Sequence, residues 1–291
     1  MRRSCAIIKA TALEILSEPL VFLVTASAMA LAVLAPAMHC HEFGDPSKMA
    51  RDAGVSAILI GGLVVSSFGA IKSIRREIET QTAMTALALP VSRRLFFLSK
   101  TVGVLLAYLV YVVTVGAVST AAVRGAVIGG EIAARDHVMT RMYGPVFAFA
   151  VAAIAVPFVY GAIANHSFRR RFTLHANFCA LVLSLVAMAF RFDWPVFAKT
   201  LPVYALVALP ALILLAASAA FSGRFRFNAA ASFAVLVFAC FVPALGNYCV
   251  TDVVSAGEAV TPAYFLAAFA AVLPPVAALL YLGTKLFETA E

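Results

Sequence analysis

From Ala53 to Ile71 the chain reads AGVSAILIGGLVVSSFGAI, and from Thr101 to Thr120 it reads TVGVLLAYLVYVVTVGAVST. Neither stretch contains Asp, Glu, Lys or Arg. Between them stands RREIETQTAMTALALPVSRRLFFLSK, Arg75–Lys100, which is charged and helix-prone. Each apolar stretch matches the ~20 residues needed to cross the hydrocarbon of a bilayer. Lipid offers no partner to a backbone amide or carbonyl, so such a run must close its own hydrogen bonds as a helix.

The composition extends this reading to the whole chain. Of 291 residues, 63% are hydrophobic and 12% are charged, against ~25% charged in a soluble domain. Water cannot cover that much apolar surface, and lipid can. Six more runs resemble the first two: Leu20–Met38, Pro145–Asn165, Leu174–Phe190, Val203–Phe221, Ala229–Tyr248 and Ala263–Thr284. The expected fold is a single all-α transmembrane domain over 1–291, polytopic, with about eight transmembrane helices. Breaks at the prolines would lower the number to six or seven.

Lysine and arginine orient the spans. With the N-terminus inside and eight spans, fifteen of the 22 fall inside and seven outside, as the positive-inside bias requires. Both termini are then cytoplasmic, and the formal charge of +8 faces anionic lipid headgroups. The basic residues are scattered over short segments, which argues against nucleic acid as a partner. Before the first span, Ala6, Ile7, Ala10, Leu13 and Leu16 recur at helical spacing with Lys9 and Glu14 between them. This predicts an amphipathic helix over 1–18 lying on the inner surface and ended by Pro19; the alternative is an extension of the first span. The apolar run after Ser17 is too long for a cleaved signal peptide.

The charged insert, 72–100, is then a cytoplasmic loop. Ile71, Ile74 and Ile78 continue the face of the second span, and Arg75–Glu79 are spaced for an i,i+4 pair. Thr80 or Thr82 caps a short helix over Ala83–Leu89, Pro90 stops it, and Ser92 caps the next helix. Met84 and Leu87 share one face of that short helix, and Arg93 and Arg94 stand at the headgroups.

Arg51–Gly103 resembles the core of the type-2 ATP-binding-cassette transporter permeases. The residues that carry the resemblance are Asp52, Glu77-Ile78-Glu79, Thr82, Pro90-Val91-Ser92-Arg93 and Lys100. The resemblance implies that Thr80–Leu89 is a coupling helix seated in a cytoplasmic ATPase subunit. Glu77, Glu79, Thr80, Thr82, Met84, Leu87, Pro90 and Arg93 would form the docking segment. It also implies a second permease chain, identical or related, and ATP and Mg held by the partner ATPase. The chain contains no G-x-x-x-x-G-K-[ST] phosphate loop, so it is expected to be a transport subunit and not an enzyme. The family usually has six spans where eight are counted here, and many members carry a large external domain.

Other classes find less support. An ion-coupled transporter wants ionisable groups within its spans, and the eight runs hold no Asp, Glu, Lys or Arg. Haem wants histidines within spans, whereas His166 and His175 flank the loop between the fourth and fifth. A non-transporting scaffold or mechanotransmission subunit stays open. His39, Cys40 and His41 are weak metal candidates, because adjacent ligands rarely close a site. Cys40 and Cys249 map to the outer surface, where a disulfide is allowed. The segment 121–144 is read as an external loop, with Gly130–Met142 as an interfacial helix and Glu131–Arg135 paired. The substrate and its binding residues are not legible.

Overall fold

The computed structural model describes residues 2–35, 46–79, 92–136, 143–168, 171–190, 192–249 and 260–288; positions 2–3, 46, 79, 129–136, 143–150, 168 and 242–249 are described by backbone alone. Every regular element among them is an α-helix. In chain order these are α1 (Arg2–Leu16), α2 (Pro19–Leu34), α3 (Pro46–Glu79), α4 (Arg93–Asp136), α5 (Tyr143–Phe168), α6 (Phe172–Phe190), α7 (Trp194–Ser222), α8 (Phe227–Cys249) and α9 (Pro262–Glu288).

Five of these helices, α3, α4, α6, α7 and α9, are long and apolar enough to cross a membrane. The bent pair α1–α2 makes a sixth if counted as one span. Over the described residues each of the eight apolar runs falls on a helix, and α5 and α8 carry shorter apolar segments, Val151–Ser167 and Phe227–Phe241. The prolines do not break their helices: α5 runs through Pro157, α7 through Pro202 and Pro210, and α9 through Pro274 and Pro275. Helices packed among neighbours tolerate the missing amide.

One expectation changes. Residues 121–136 are not a loop but the continuation of α4, which is one helix of 44 residues. Gly125, Gly129 and Gly130 cost about 1 kcal/mol each in helix propensity, too little to break a helix whose remaining residues there are mostly Ala, Val and Ile. At 1.5 Å per residue α4 is about 66 Å long, so it outreaches the ~40–45 Å of a bilayer with its headgroups.

The core is built on α3, α4 and α7. Tyr108 and Tyr111 of α4 are its largest fully buried side chains. The Tyr111 hydroxyl donates to Ala57 O on α3 and the Tyr108 hydroxyl to Ala208 O on α7, each at 2.7 Å. Gly61 makes the slot for Tyr111: a Cβ there would lie 2.0 Å from the tyrosine oxygen. Outside this trio α6 and α9 are peripheral, with Phe178, Phe190, Leu266 and Tyr281 exposed, as lipid-facing side chains would be.

The turn between α1 and α2 is a 64° bend. Glu18 is extended, and Pro19 opens α2. The carbonyls left at the end of α1 are met by α6: Asn177 Nδ2 donates to Leu16 O at 2.8 Å, and the Thr173 hydroxyl to Ser17 O. α1 lies along α4 and touches it closely at Gly103, where a Cβ would stand 2.9 Å from Ile8 O. The helix predicted over 1–18 is therefore a separate element, docked by its buried Thr11 and Ile15.

Candidate functional site

The end of α3 and the start of α4 form the two feet from which residues 80–91 emerge. Ile71 and Ile74 are buried there, and Ile78 packs against the same core, so the apolar face of α3 continues to its last turn as the sequence predicts. Ser92 caps α4, its Oγ accepting from Leu95 N at 3.3 Å.

Charged side chains tie these feet to α1. Lys100, with 6% of its side chain exposed, donates to Glu77 Oε1 at 2.7 Å and lies 3.9 Å from Glu14 Oε2. Arg76 Nη1 donates to Glu14 Oε1 at 2.7 Å, and Lys72 pairs with Glu18. The Lys100 ammonium also sits 5.9 Å from the centroid of the Phe96 ring. Among the described side chains, three acids and three bases from α1, the α1–α2 turn, α3 and α4 thus meet in one junction. Lysine is almost never buried without a carboxylate, and here the two glutamates make its burial tolerable.

Neighbouring elements join the same end. Arg75 Nη1 donates to Phe225 O in the α7–α8 turn at 2.7 Å. Arg93 Nη1 donates to Glu288 O at 3.2 Å, and Arg94 clasps the Glu288 carboxylate, with Nη2–Oε2 at 3.3 Å. Phe287 packs between Phe96 and Phe97. Arg171 Nη1 reaches Ser17 Oγ at 3.1 Å.

Of the predicted docking residues, Glu77 and Arg93 are thus brought into this junction and its rim. Glu79 ends α3 and is described by backbone alone. Thr80, Thr82, Met84, Leu87 and Pro90 lie outside the described residues, as do His39, Cys40 and His41. The Cys40–Cys249 pairing and the Glu131–Arg135 pair fall outside the described side chains too. Among the described residues no three His, Cys, Asp or Glu gather as metal ligands.

The sequence reading assigned Glu14 to the polar face of a surface helix and missed its partners. The signal was present: Lys72 and Arg76 are an i,i+4 basic pair on α3, and Glu14 and Glu18 an acidic pair of the same spacing across the bend. No protein-family model, curated protein or solved structure matches this chain.

Proposed function

We propose that this chain is the permease subunit of an ATP-binding-cassette exporter in the cytoplasmic (inner) membrane. It has eight spans and both termini in the cytoplasm. Two permease chains, identical or related, stand over two cytoplasmic ATPase subunits that hold ATP and Mg. Thr80–Leu89 seats in the ATPase, whose ATP-driven closure rocks the spans between two states. The substrate passes between the permeases or enters from lipid.

The observation that carries this reading is the junction at Lys100. A push on residues 80–91 acts on both feet, α3 and α4. Glu77, Lys100, Glu14 and Arg76 bind those feet to α1, so the three helices respond together. A solvated hairpin would have no use for a buried ammonium with two carboxylates.

The test is at the contact itself. Apolar anchors in fitted pockets dominate such interfaces, and losing one costs about 2 kcal/mol or more, roughly 30-fold in affinity. Met84→Asp and Leu87→Asp should leave the chain inserted and folded while releasing the ATPase or uncoupling ATP hydrolysis from transport. Arg170→Ala, on a different cytoplasmic loop, should do neither. Copurification from native membranes and substrate-stimulated ATPase activity in reconstituted vesicles read both effects. Absence of any ATPase in the wild-type preparation, or full coupling in both Asp variants, refutes the reading.

A further inference from the structure

At the opposite end of the core, by the Thr120–Thr200 contact, three buried hydrogen-bond donors lack an acceptor outside their own group among the described residues, the Ser119 and Tyr204 hydroxyls facing each other. They are Arg51 Nε on α3, Ser119 Oγ on α4 and the Tyr204 hydroxyl on α7. Ser119 has no exposed surface and Tyr204 has 3%. Both hydroxyls crowd one place on α3, since a Cβ at Gly54 would stand 2.5 Å from Ser119 Oγ and 3.1 Å from the Tyr204 oxygen. Arg51 precedes Gly54 by three residues, so it shares that face of the helix. Its residue is half-buried, which leaves part of the side chain within reach from outside.

These groups are costly where they stand. Ser119 and Tyr204 have almost no exposed surface through which to borrow water, and Ala and Phe would fill the same positions without the penalty. Polar groups held against the interest of the fold point to a ligand. The chemistry of the set says which. Each of the three can donate, and the guanidinium is a permanent cation. No carboxylate lies within ion-pair distance of Arg51 among the described residues, although the Asp52 carboxylate acts on both Arg51 and Tyr204 from further off. Lys48 and Arg51 outnumber Asp52, the neighbouring acid, by one charge.

We propose that Arg51, Ser119 and Tyr204 form a binding site for a phosphate-class oxyanion, presented either by a lipid headgroup or as a free phosphate group. Arg51 meets the anion at the accessible edge. Ser119 and Tyr204, deeper on the same face, complete its hydrogen bonds when the helices part to admit it. At 1.5 Å per residue Arg51 lies about 7.5 Å and Gly54 about 12 Å along α3 from its start, so a headgroup meets Arg51 first. It does not rest on coupling to an ATPase.

The experiment compares the melting temperature of the full chain in nanodiscs. One preparation is phosphatidylcholine alone, a second adds phosphatidylglycerol, and a third adds inorganic phosphate to the first. Tyr204→Phe, Ser119→Ala and Arg51→Gln are compared with wild type. In phosphatidylcholine alone, Tyr204→Phe and Ser119→Ala should melt at or above the wild type. The wild type should gain stability with phosphatidylglycerol if the anion is a headgroup, or with inorganic phosphate if it is free. All three variants should lose most of that gain. The proposal is overturned if neither addition moves the wild type, if the variants gain as much as the wild type, or if both hydroxyl variants melt several degrees lower without any anion.

Discussion

Lys100 shows how one residue sets the behaviour of its surroundings. Its ammonium is nearly buried, yet its partners differ in distance, with Glu77 at 2.7 Å and Glu14 at 3.9 Å. Glu14 has a second cation in Arg76, at 2.7 Å. Removing the lysine takes away the shorter of its two contacts, so the loss falls more on Glu77 than on Glu14. Breaking a fully buried pair costs about 3–5 kcal/mol, and replacing both members by neutral groups costs far less. Glu77 keeps 23% of its side chain exposed, so Lys100→Met should lose about 2 kcal/mol, below that range. Lys100→Met combined with Glu77→Gln should recover part of it. Thermal melts of the purified chain in one detergent measure both, and a double variant no better than the single one contradicts the pairing. The sequence marked Glu77 and Lys100 as charges near a membrane surface. It did not show that they meet, because partners 23 residues apart are joined only once α3 and α4 pack side by side.

Among the elements, α3 and α4 pack most instructively. Tyr111 fits only because position 61 has no side chain. Gly61→Ala would place its Cβ 2.0 Å from the tyrosine oxygen and 2.8 Å from Cζ. Tyr111 must then leave its bond to Ala57 O or push the helices apart, and overpacking of this kind costs about 1–3 kcal/mol. Adding Tyr111→Phe removes the oxygen that makes the shorter contact. The double variant should therefore melt above Gly61→Ala, a coupling that a cycle of melts detects between touching residues. Additive losses would mean that the two positions do not meet. The existence of the elements was legible, since an uncharged run in lipid has no alternative to a helix. Their faces were not. In a soluble helix the polar side marks the surface, but here core and lipid-facing sides are both apolar, and α7, which is mostly buried, looks like α9, which is mostly exposed. Exceptions to the apolar pattern were the usable clues: Pro19 located the bend and Ser92 the start of α4. The length of α4 escaped the reading because charge, taken as the sign of a loop, does not stop a helix outside the bilayer.

For the whole molecule, the two ends of the bundle differ in kind. One end holds the Lys100 junction, and Arg171 and Thr173 at the start of α6 join it by contacting Ser17 beside Glu18. The other holds Phe192 and Trp194, both well exposed, with Phe197 against them. Beside them Asp193 accepts from Arg124 Nη1 at 2.9 Å. Aromatic rings of this sort favour the membrane–water boundary, and the ion pair requires water or headgroups nearby. α6 joins the two ends with 19 residues, about 28 Å at 1.5 Å per residue, which is close to the ~30 Å of hydrocarbon. A hydrophobic length so nearly matched leaves little room for tilt. Ser167 lies near its first end and Lys199 near its second, and both are exposed; Thr200 is buried and would label poorly. After the five native cysteines are replaced, single cysteines at Ser167 and Lys199 should react with an impermeant maleimide from opposite faces of sealed vesicles. Ser167→Cys should label from the cytoplasmic face and Lys199→Cys from the other. Labelling of both from one face would mean that α6 does not cross. The eight-span arrangement would then fail at α6, and the sidedness of everything after it would invert.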